Sequence, residues 1–425
     1  MKIGKIALLF EKITRMAFSV LFSIWIARSM GAEVYGELLF ALSAVSIVLT
    51  MAGLGMDHYM VQVLSLKNSD ETTDLGALFT LKLLSGTFFS IVGYIILYFS
   101  NWEESRINLC LVLGIQVPLL CLSVFQAKLK SREYFTRIAV IQLMALFISS
   151  AVKIAILMNG GGVVYLAWAI SLDMVLITRF SVYGSKIHFL WNWSVIRIHF
   201  KRGLFLLVGA LSAILYMRVD QIMIAEILGS ESTGHYGVAV RLVDSWIPLL
   251  SILVSTALPS LTKRFSEYPE SFREHFIKLM SRLMKICFLI SVVYFFYGSQ
   301  LVLFIYGNEY SPGAPLCALL IWSLPFVMLS HTSWTYYLQY NLYLIGSIRL
   351  FIGAVLNIGL NIMLIQSHGL VGCVIATLIS YSVSSFFIHA LFSKTRELFF
   401  MQFRGILNVC SPSTWISEFS WKQNG

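Results

Sequence analysis

The sequence has few charged residues. Asp, Glu, Lys and Arg make up only 12% of its 425 residues, whereas 58% of the residues are hydrophobic. A soluble domain usually carries about 25% charged and about 45–50% apolar residues. The composition therefore excludes soluble enzymes, nucleic-acid-binding domains and disordered chains, and it predicts a polytopic helical membrane protein.

The motifs of nucleotide, zinc and disulfide chemistry are also missing. The six cysteines are scattered through apolar stretches without a C-x-x-C pair, and the eight histidines are isolated. The sequence has no G-x-x-x-x-G-K-[ST] phosphate loop, no H-E-x-x-H motif and no soluble domain large enough to hydrolyse a nucleotide. We therefore expect no bound cofactor. The energy source would be an H⁺ or Na⁺ gradient, or the concentration difference of the substrate itself.

Long apolar runs, bounded by charged residues, glycine or asparagine, predict the membrane spans, each of which needs roughly 20 apolar residues. Glu11, Lys12 and Arg15 interrupt the first run and no small-residue cleavage motif closes it, so we interpret it as a retained first helix. The sequence thus predicts an all-α membrane protein with about twelve spans. They are residues 7–28, 38–60, 77–99, 108–127, 138–158, 163–183, 203–228, 237–260, 281–305, 315–338, 347–366 and 369–393.

The net charge of +10 indicates how the chain is oriented in the membrane. Lys and Arg are concentrated in alternate connections and after the last span, and connections rich in Lys and Arg generally stay in the cytoplasm. The opposite connections hold little beyond Arg28 and Arg106. The distribution predicts that both termini lie in the cytoplasm.

The sequence repeats itself at an offset of about 200 residues. Met30-Gly31-Ala32-Glu33-Val34-Tyr35-Gly36 follows span 1, and the similar segment from Leu228-Gly229 to Tyr236-Gly237 follows span 7. The hairpin of spans 5 and 6 likewise resembles that of spans 11 and 12. Such repeats are typical of transporters built from two copies of one helical unit. They predict two pseudo-symmetric six-helix lobes, residues 1–200 and 201–395, followed by a cytoplasmic or interfacial tail, 396–425.

Ionisable residues inside the spans are the candidate functional groups, because each costs at least about 2.5–3.5 kcal/mol at membrane depth. In span 1, Glu11 and Arg15 lie four residues apart, and Phe18, Phe22 and Trp25 continue the same helical face. The spacing predicts that one face presents charge and aromatic rings to a single partner surface.

A polar stripe recurs in spans 5 and 11. Lys153 follows Gln142 and Ser149 at helical spacing, and the repeat places Asn357 and Asn361 on the equivalent face of span 11.

The clearest cluster of charges lies in spans 7 and 8. Arg218 and Asp220 interrupt span 7, and Arg241 and Asp244 lie three residues apart on one face of span 8. We expect Asp220 to balance a neighbouring arginine.

Other charges have simpler explanations. Asp173, Arg179 and Arg349 lie nearer to span ends, where long side chains reach the membrane surface. Lys82 and Arg28 fit both a functional role inside the membrane and a side chain that reaches the membrane surface.

Basic residues in both halves predict a shared cavity of positive potential. Arginine binds phosphate bidentately and keeps its charge when it is desolvated, so such a cavity suits a phosphate or pyrophosphate head group. A structural ion pair in a packed bundle is the alternative for each residue. The predicted substrate-binding residues are Arg15, Lys153, Arg218 and Arg241, and the charge-balancing or coupling residues are Glu11, Asp220 and Asp244.

Four segments of the sequence resemble a known family. They are residues 26–62, with Gly53-Leu54-Gly55-Met56-Asp57; the stretch from Arg218 to Glu226; Tyr236-Gly237 to Pro259; and Ile305-Tyr306-Gly307-Asn308-Glu309-Tyr310. In order and spacing they resemble the Wzx-type bacterial polysaccharide flippases. These belong to the superfamily of multidrug and toxin extrusion (MATE) transporters and lipid II flippases.

The resemblance implies two six-helix lobes in the bacterial inner membrane. It also implies movement of an undecaprenyl-diphosphate-linked O-antigen or capsule repeat unit from the cytoplasmic to the periplasmic leaflet. A polysaccharide polymerase and a chain-length regulator are further partners that it implies. The related lipid II flippases have basic residues in the first and eighth spans, to which Arg15 and Arg241 correspond by position. They usually carry two further C-terminal helices, which this sequence lacks.

Two other functions remain open from the sequence. A multidrug or metabolite exporter of the same superfamily would favour acidic cavity residues, whereas the candidates here are mainly basic. A membrane polysaccharide polymerase or ligase generally needs a sizeable periplasmic loop. The longest predicted loop here, at about residues 184–202, falls on the cytoplasmic side.

Overall fold

The chain is helical throughout the part that the structure, a computed structural model, describes. That part comprises residues 2–66, 71–183, 192–409 and 411, and it contains no β-strand. An α-helix satisfies its backbone hydrogen bonds internally, which a segment surrounded by lipid requires. The predicted all-α membrane fold is confirmed.

The helices form two compact units, Met1–Ala225 and Glu226–Gly425. The first nine are α1 (Lys2–Gly53), α2 (Asp57–Ser65), α3 (Glu71–Phe99), α4 (Glu104–Gly114), α5 (Gln116–Leu119), α6 (Ser123–Ser131), α7 (Phe135–Met158), α8 (Val163–Val182) and α9 (Trp193–Leu228). The others are α10 (Ser230–Asp244), α11 (Trp246–Glu267), α12 (Pro269–Tyr306), α13 (Ala314–Leu320), α14 (Ser323–Tyr340), α15 (Tyr343–Ser382), α16 (Ile388–Leu391) and α17 (Arg396–Leu407). A π-helical turn, Val383–Phe387, connects α15 to α16.

Among the described residues, nine helical segments are long and apolar enough to cross a membrane, or ten if the bent pair α13 and α14 forms one span. Two of the nine, Ile6–Ser65 and Tyr343–Leu391, each contain two predicted spans. Their halves meet at Gly31 and Gly369, where the backbone leaves the helical conformation. Every predicted span therefore lies on one of these apolar segments.

The glycine turns of the sequence repeat share a backbone conformation. Gly31 has φ 81° and ψ 171°, and Gly229 has φ 91° and ψ 172°. In the second pair of similar hairpins, Gly160 and Gly369 have φ values of 67° and 58°. Residues other than glycine rarely adopt positive φ, so these positions of the repeat require glycine.

The boundary between the two compact units falls at Ala225–Glu226, so α9 belongs almost wholly to the first unit. Its Ile196 is buried with Met56, Leu78, Val124 and Phe125 in the apolar core where α2, α3, α6 and α9 meet. The apolar pattern places the membrane span correctly, but it does not reveal the unit on which the span packs.

The connection before α9 is shorter than predicted. The predicted loop at about residues 184–202 ends by Trp193, where α9 begins, and residues 184–191 lie outside the described residues. Asn192 caps the helix, since its Oδ1 accepts hydrogen bonds from the backbone N–H groups of Ser194 and Val195 at 3.0 and 3.4 Å. The basic residues that follow are therefore helical rather than part of a loop.

The first part of the predicted tail packs on the second unit. Leu398, Met401 and Gln402 of α17 are buried, and Glu397 forms a 2.9 Å ion pair with Arg273 of α12. Residues 410 and 412–425 of the predicted tail lie outside the described residues.

Candidate functional site

Arg15 is the centre of a polar cluster in the first unit. Its Nε donates to Glu11 Oε1 at 2.7 Å, one terminal nitrogen donates to Asp173 Oδ2 at 2.6 Å, and the other donates to the Gln142 carbonyl at 2.9 Å. These bonds join α1, α7 and α8, which pack against one another. The guanidinium therefore has a defined orientation, and three of its five N–H groups are in use.

The aromatic stripe predicted on the same face of α1 is present. The Phe18 and Phe22 ring centroids are 6.2 Å apart, and Phe22 stacks on Trp25 at 6.5 Å. Lys153 of α7 joins this surface, with its Nζ 5.5 Å from the Phe22 ring centroid. This distance suits a cation–π contact.

The cluster is balanced in charge rather than cationic. Glu11 and Asp173 both contact Arg15, whereas Lys153 has no carboxylate within 4.0 Å among the described residues. Two carboxylates thus offset two cations in this part of the first unit. Ser149 also donates to Asp173 at 3.3 Å, so the cluster includes Ser149, Lys153 and the backbone of Gln142 from the polar stripe of span 5.

Asp173 was predicted to lie at the membrane surface. It instead accepts a hydrogen bond from Arg15, a residue 158 positions away in the sequence. No local spacing rule links two residues on different helices. The apolar surroundings of a lone acid in span 6 are the only sequence signal that could have marked it.

Arg218 and Asp220, the predicted charges of span 7, also lie in the first unit. Asp220 is 8% exposed and accepts a hydrogen bond from the Gln221 backbone N–H at 2.8 Å. Ser43 donates to the Gln221 side-chain oxygen at 2.7 Å. Arg218 is half-buried, and within the described part of this unit it has no hydrogen bond or ion pair. Arg241 and Asp244 are half-buried residues of α10 and belong to the second unit.

A pocket of about 450 Å³ lies where α1 ends in the first unit. Asp57 and His58 provide its titratable groups, and its apolar wall includes Met174 and Met217. Behind Asp57, the fully buried Lys82 donates to Asp57 Oδ1 at 3.1 Å and to Ser123 Oγ at 3.0 Å. The sequence alone allows either a functional or a surface position for Lys82, and Asp57 is not among the predicted site residues.

The second unit contains a buried polar network around Arg349. Arg349 is 3% exposed, donates to Ser330 Oγ at 2.9 Å and lies over the Tyr337 ring. It is therefore buried inside the unit and does not extend to the membrane surface as expected. Asn357 and Asn361, the polar residues predicted on span 11, are also buried in this unit, and the Asn361 amide donates to Asn357 Oδ1 at 3.1 Å.

His389 extends this network and is held in one tautomer. Its Nδ1 lies 3.0 Å from Gln402 Oε1, and its Nε2 lies 2.6 Å from the Tyr337 hydroxyl. Gln402 uses its amide nitrogen on Ser333, so its oxygen must accept from His389. The ring is therefore protonated on Nδ1 and accepts at Nε2.

No group of three or more His, Cys, Asp or Glu side chains that could hold a metal ion occurs in the described ranges. The polar clusters of the two units consist of ion pairs and hydrogen bonds around cations.

The fold is similar to that of membrane transporters. The solved structures that it resembles include a lipid II flippase, MurJ, in an inward closed conformation, with a TM-score of 0.74 and 14% identity over 98% of this chain and 93% of that one. They also include an inward-facing multidrug resistance MATE transporter of the MOP superfamily, with a TM-score of 0.67 and 12% identity over 94% and 96% of the chains. A MOP superfamily transporter from Pyrococcus furiosus matches with a TM-score of 0.61 and 14% identity over 92% of this chain and 94% of that one. The chain thus has the MOP superfamily fold.

The sequence itself identifies the family. Residues 11–315 match the family described as polysaccharide biosynthesis protein, and the chain belongs to that family. No curated protein sequence matches the chain. The family places the chain in polysaccharide biosynthesis.

Proposed function

We propose that the chain is a flippase for a lipid-linked oligosaccharide. It moves an undecaprenyl-diphosphate-linked O-antigen or capsule repeat unit from the cytoplasmic to the periplasmic leaflet of a bacterial inner membrane. The observation that carries the proposal is the polysaccharide biosynthesis family match over residues 11–315, a range composed almost entirely of apolar helices. Sugars do not cross lipid unaided, so a membrane step in polysaccharide assembly requires a passage for the polar part.

The proposed mechanism needs no covalent chemistry by this chain. The prenyl tail stays in lipid while the pyrophosphate contacts Lys153 and the remaining N–H groups of Arg15, which Glu11 and Asp173 orient. Arg218 and Arg241 are the further proposed phosphate contacts. Asp220 and Asp244 balance charge, or couple transport to an H⁺ or Na⁺ gradient. Alternating access then exposes the site to one leaflet at a time.

Substitution of the two arginines in cells tests this mechanism. We expect Arg218→Ala and Arg241→Ala each to abolish surface polysaccharide while the protein remains in the membrane at normal abundance. A charge-assisted contact to phosphate contributes about 1.5–3 kcal/mol, equivalent to roughly a tenfold to hundredfold loss of binding. Arg179→Ala is the matched control, because Arg179 is an exposed arginine of α8. Normal polymer in both test variants would exclude a required role for these charges.

A multidrug exporter is the second candidate, because MATE transporters share the fold and two carboxylates accompany Arg15. Purified protein in vesicles separates the two functions. A flippase moves a fluorescent undecaprenyl-diphosphate-linked oligosaccharide between leaflets, whereas an exporter accumulates cationic dyes and leaves the lipid in place. Sugar transfer to a lipid acceptor, with neither movement, would instead support the polymerase or ligase.

A further inference from the structure

A long apolar groove lies between α3 and α9 of the first unit. Its volume is about 780 Å³, which is in the range of sites that enclose a ligand. Leu84 and Phe88 form the α3 wall, and Phe200 and Leu204 line the α9 wall. The lining residues of each helix are three or four positions apart, so each wall is one continuous helical face.

Hydrogen bonds near the first turns of the two helices tie them together beside this groove. His199 of α9 contacts Asp74 Oδ1 of α3 through Nε2 at 3.1 Å, and its Nδ1 contacts the Tyr59 hydroxyl of α2 at 2.9 Å. The apolar walls do not close against each other in the same way. Phe88 is 59% exposed and Leu204 is 44% exposed. The groove is therefore an open apolar surface with a fixed polar attachment nearby.

One end of the groove is cationic. Arg197 is the only charged residue among its described lining residues, and it is exposed. Lys201 and Arg202 follow on the same helix and are also exposed, but they do not line the groove. The surface thus combines a long hydrocarbon-binding face with a site for an anionic head group.

The walls favour an isoprenoid over a saturated acyl chain. Trp193, Phe88, Phe89 and Phe200 contribute four aromatic rings to the lining. The double bonds of an isoprenoid are planar and carry methyl branches, so they stack on ring faces more readily than a flexible saturated chain does. Ser85 is an uncharged polar residue of the lining. Its hydroxyl already donates a hydrogen bond to the Ala52 carbonyl at 2.7 Å.

We propose that this groove binds the polyprenyl chain of the lipid-linked substrate and that Arg197 contacts its phosphate. The inference rests on the proposed flippase function and identifies where the lipid part of the substrate is held. The groove keeps the hydrocarbon against the first unit, and Arg197 contacts the phosphate before the pyrophosphate reaches Arg15 and Lys153.

Photocrosslinking of the full-length protein in nanodiscs tests the groove. The probe is undecaprenyl phosphate with a diazirine at the far end of its chain, and labelled peptides are mapped by mass spectrometry. We expect labelling of the α3 and α9 segments that line the groove. Leu84→Trp fills the groove and should reduce this labelling at least about tenfold, the loss expected when one favourable contact becomes a clash.

Two matched controls isolate the groove from general effects. Ile95→Trp adds the same bulk to an exposed position of α3 outside the lining, and it should leave labelling unchanged. Arg197→Gln should weaken binding about tenfold, whereas Lys201→Gln removes an equal charge beside the groove and should change binding less than twofold. Thermal unfolding of each variant shows whether it is folded, and Leu84→Ala, which opens the groove, should retain labelling.

Competition between the probe and unlabelled lipids identifies the lipid that the groove binds. A transport assay with lipid-linked oligosaccharide tests the flippase function separately from the groove. Phosphatidylglycerol that competes as well as unlabelled undecaprenyl phosphate would overturn the proposal, and so would full labelling of a folded Leu84→Trp protein. If that variant keeps wild-type labelling while wild-type protein flips lipid-linked oligosaccharide, the groove assignment is wrong and the flippase function stands. If wild-type protein binds the probe in the groove yet moves no lipid-linked oligosaccharide, the function fails and the groove remains a polyprenyl phosphate site.

Discussion

The Lys82–Asp57 ion pair is strongly asymmetric in its exposure. The Lys82 side chain is completely buried, whereas 78% of the Asp57 side chain is exposed to the pocket at the end of α1. A buried ammonium depends on its counter-ion far more than a solvated carboxylate does. The lysine therefore needs the aspartate for stability, but the aspartate does not need the lysine.

This asymmetry predicts unequal effects when either partner is removed. Asp57→Ala leaves an uncompensated buried charge and should reduce the free energy of unfolding by about 3–5 kcal/mol. Lys82→Met replaces the ammonium with an apolar chain of similar length, leaves the carboxylate solvated and should cost less than about 1.5 kcal/mol. Denaturant unfolding in detergent micelles measures both.

The double variant provides the control for this pair. In Asp57→Ala/Lys82→Met no charge remains buried, so the protein should recover most of the stability lost in Asp57→Ala. Equal losses in the two single variants, or a double variant as unstable as Asp57→Ala, would show that the pair does not act as a buried charge and its counter-ion.

Single residues also show how far the sequence alone could identify the site. The Glu11–Arg15 contact follows from a spacing of four residues in one helix, and the structure confirms it at 2.7 Å. Asp173 reaches Arg15 from another helix, and Lys82 reaches Asp57 in the same way. A sequence identifies costly charges inside apolar runs, but their partners depend on how helices pack.

Among the elements, glycine turns that begin helices recur in this fold. Gly31, Gly229 and Gly307 have φ values of 81°, 91° and 99° with ψ close to 171°. This region of φ and ψ is essentially restricted to glycine and costs other residues about 1–3 kcal/mol. The turn, rather than the neighbouring side chains, determines where the next helix begins.

Gly229 permits a clean test of this turn, because a Cβ added there would meet no atom within 4 Å. Gly229→Ala should therefore lower stability by about 1–3 kcal/mol through backbone strain alone. Gly93→Ala is the matched control. Gly93 also has open space around it, but it lies inside α3 without a positive φ, so alanine should be neutral or should stabilise by about 0.5–1 kcal/mol. Thermal unfolding of both variants measures the two changes in stability. Equal changes in Gly229→Ala and Gly93→Ala would contradict backbone strain at the Gly229 turn.

Helix ends were harder to predict than helix positions. Hydropathy identifies the part of a helix that lies in lipid, so the predicted span 203–228 is correct as an apolar segment of α9. It does not detect the polar turns at the start of α9, from Trp193 onward, or those of α12, from Pro269 onward. Asn192 and Pro269 are sequence signals for these starts, because one caps a helix and the other suits its first position.

For the whole molecule, the distribution of charge predicts an orientation in the membrane. The two ends of α7 allow this prediction to be stated for a single helix. The 24-residue helix Phe135–Met158 is long enough to cross the apolar layer once. Basic residues precede α7, and the uncharged turn Asn159-Gly160-Gly161-Gly162 follows it. The positive-inside rule therefore assigns the two ends of α7 to opposite sides of the membrane.

Cysteine accessibility in intact cells tests this orientation and the direction of transport that depends on it. In a variant without native cysteines, Lys130→Cys and Lys263→Cys should react with a membrane-impermeant maleimide only after the inner membrane is opened. Asn159→Cys and Gln366→Cys should react at once, because their turns are predicted to face the periplasm. All four positions are exposed, so a difference in labelling reports the side of the membrane and not burial. The reverse pattern would place the basic segment of α9, with Arg197, at the periplasmic surface. The groove would then open toward the leaflet that receives the lipid-linked oligosaccharide, and the proposed direction of movement could not hold.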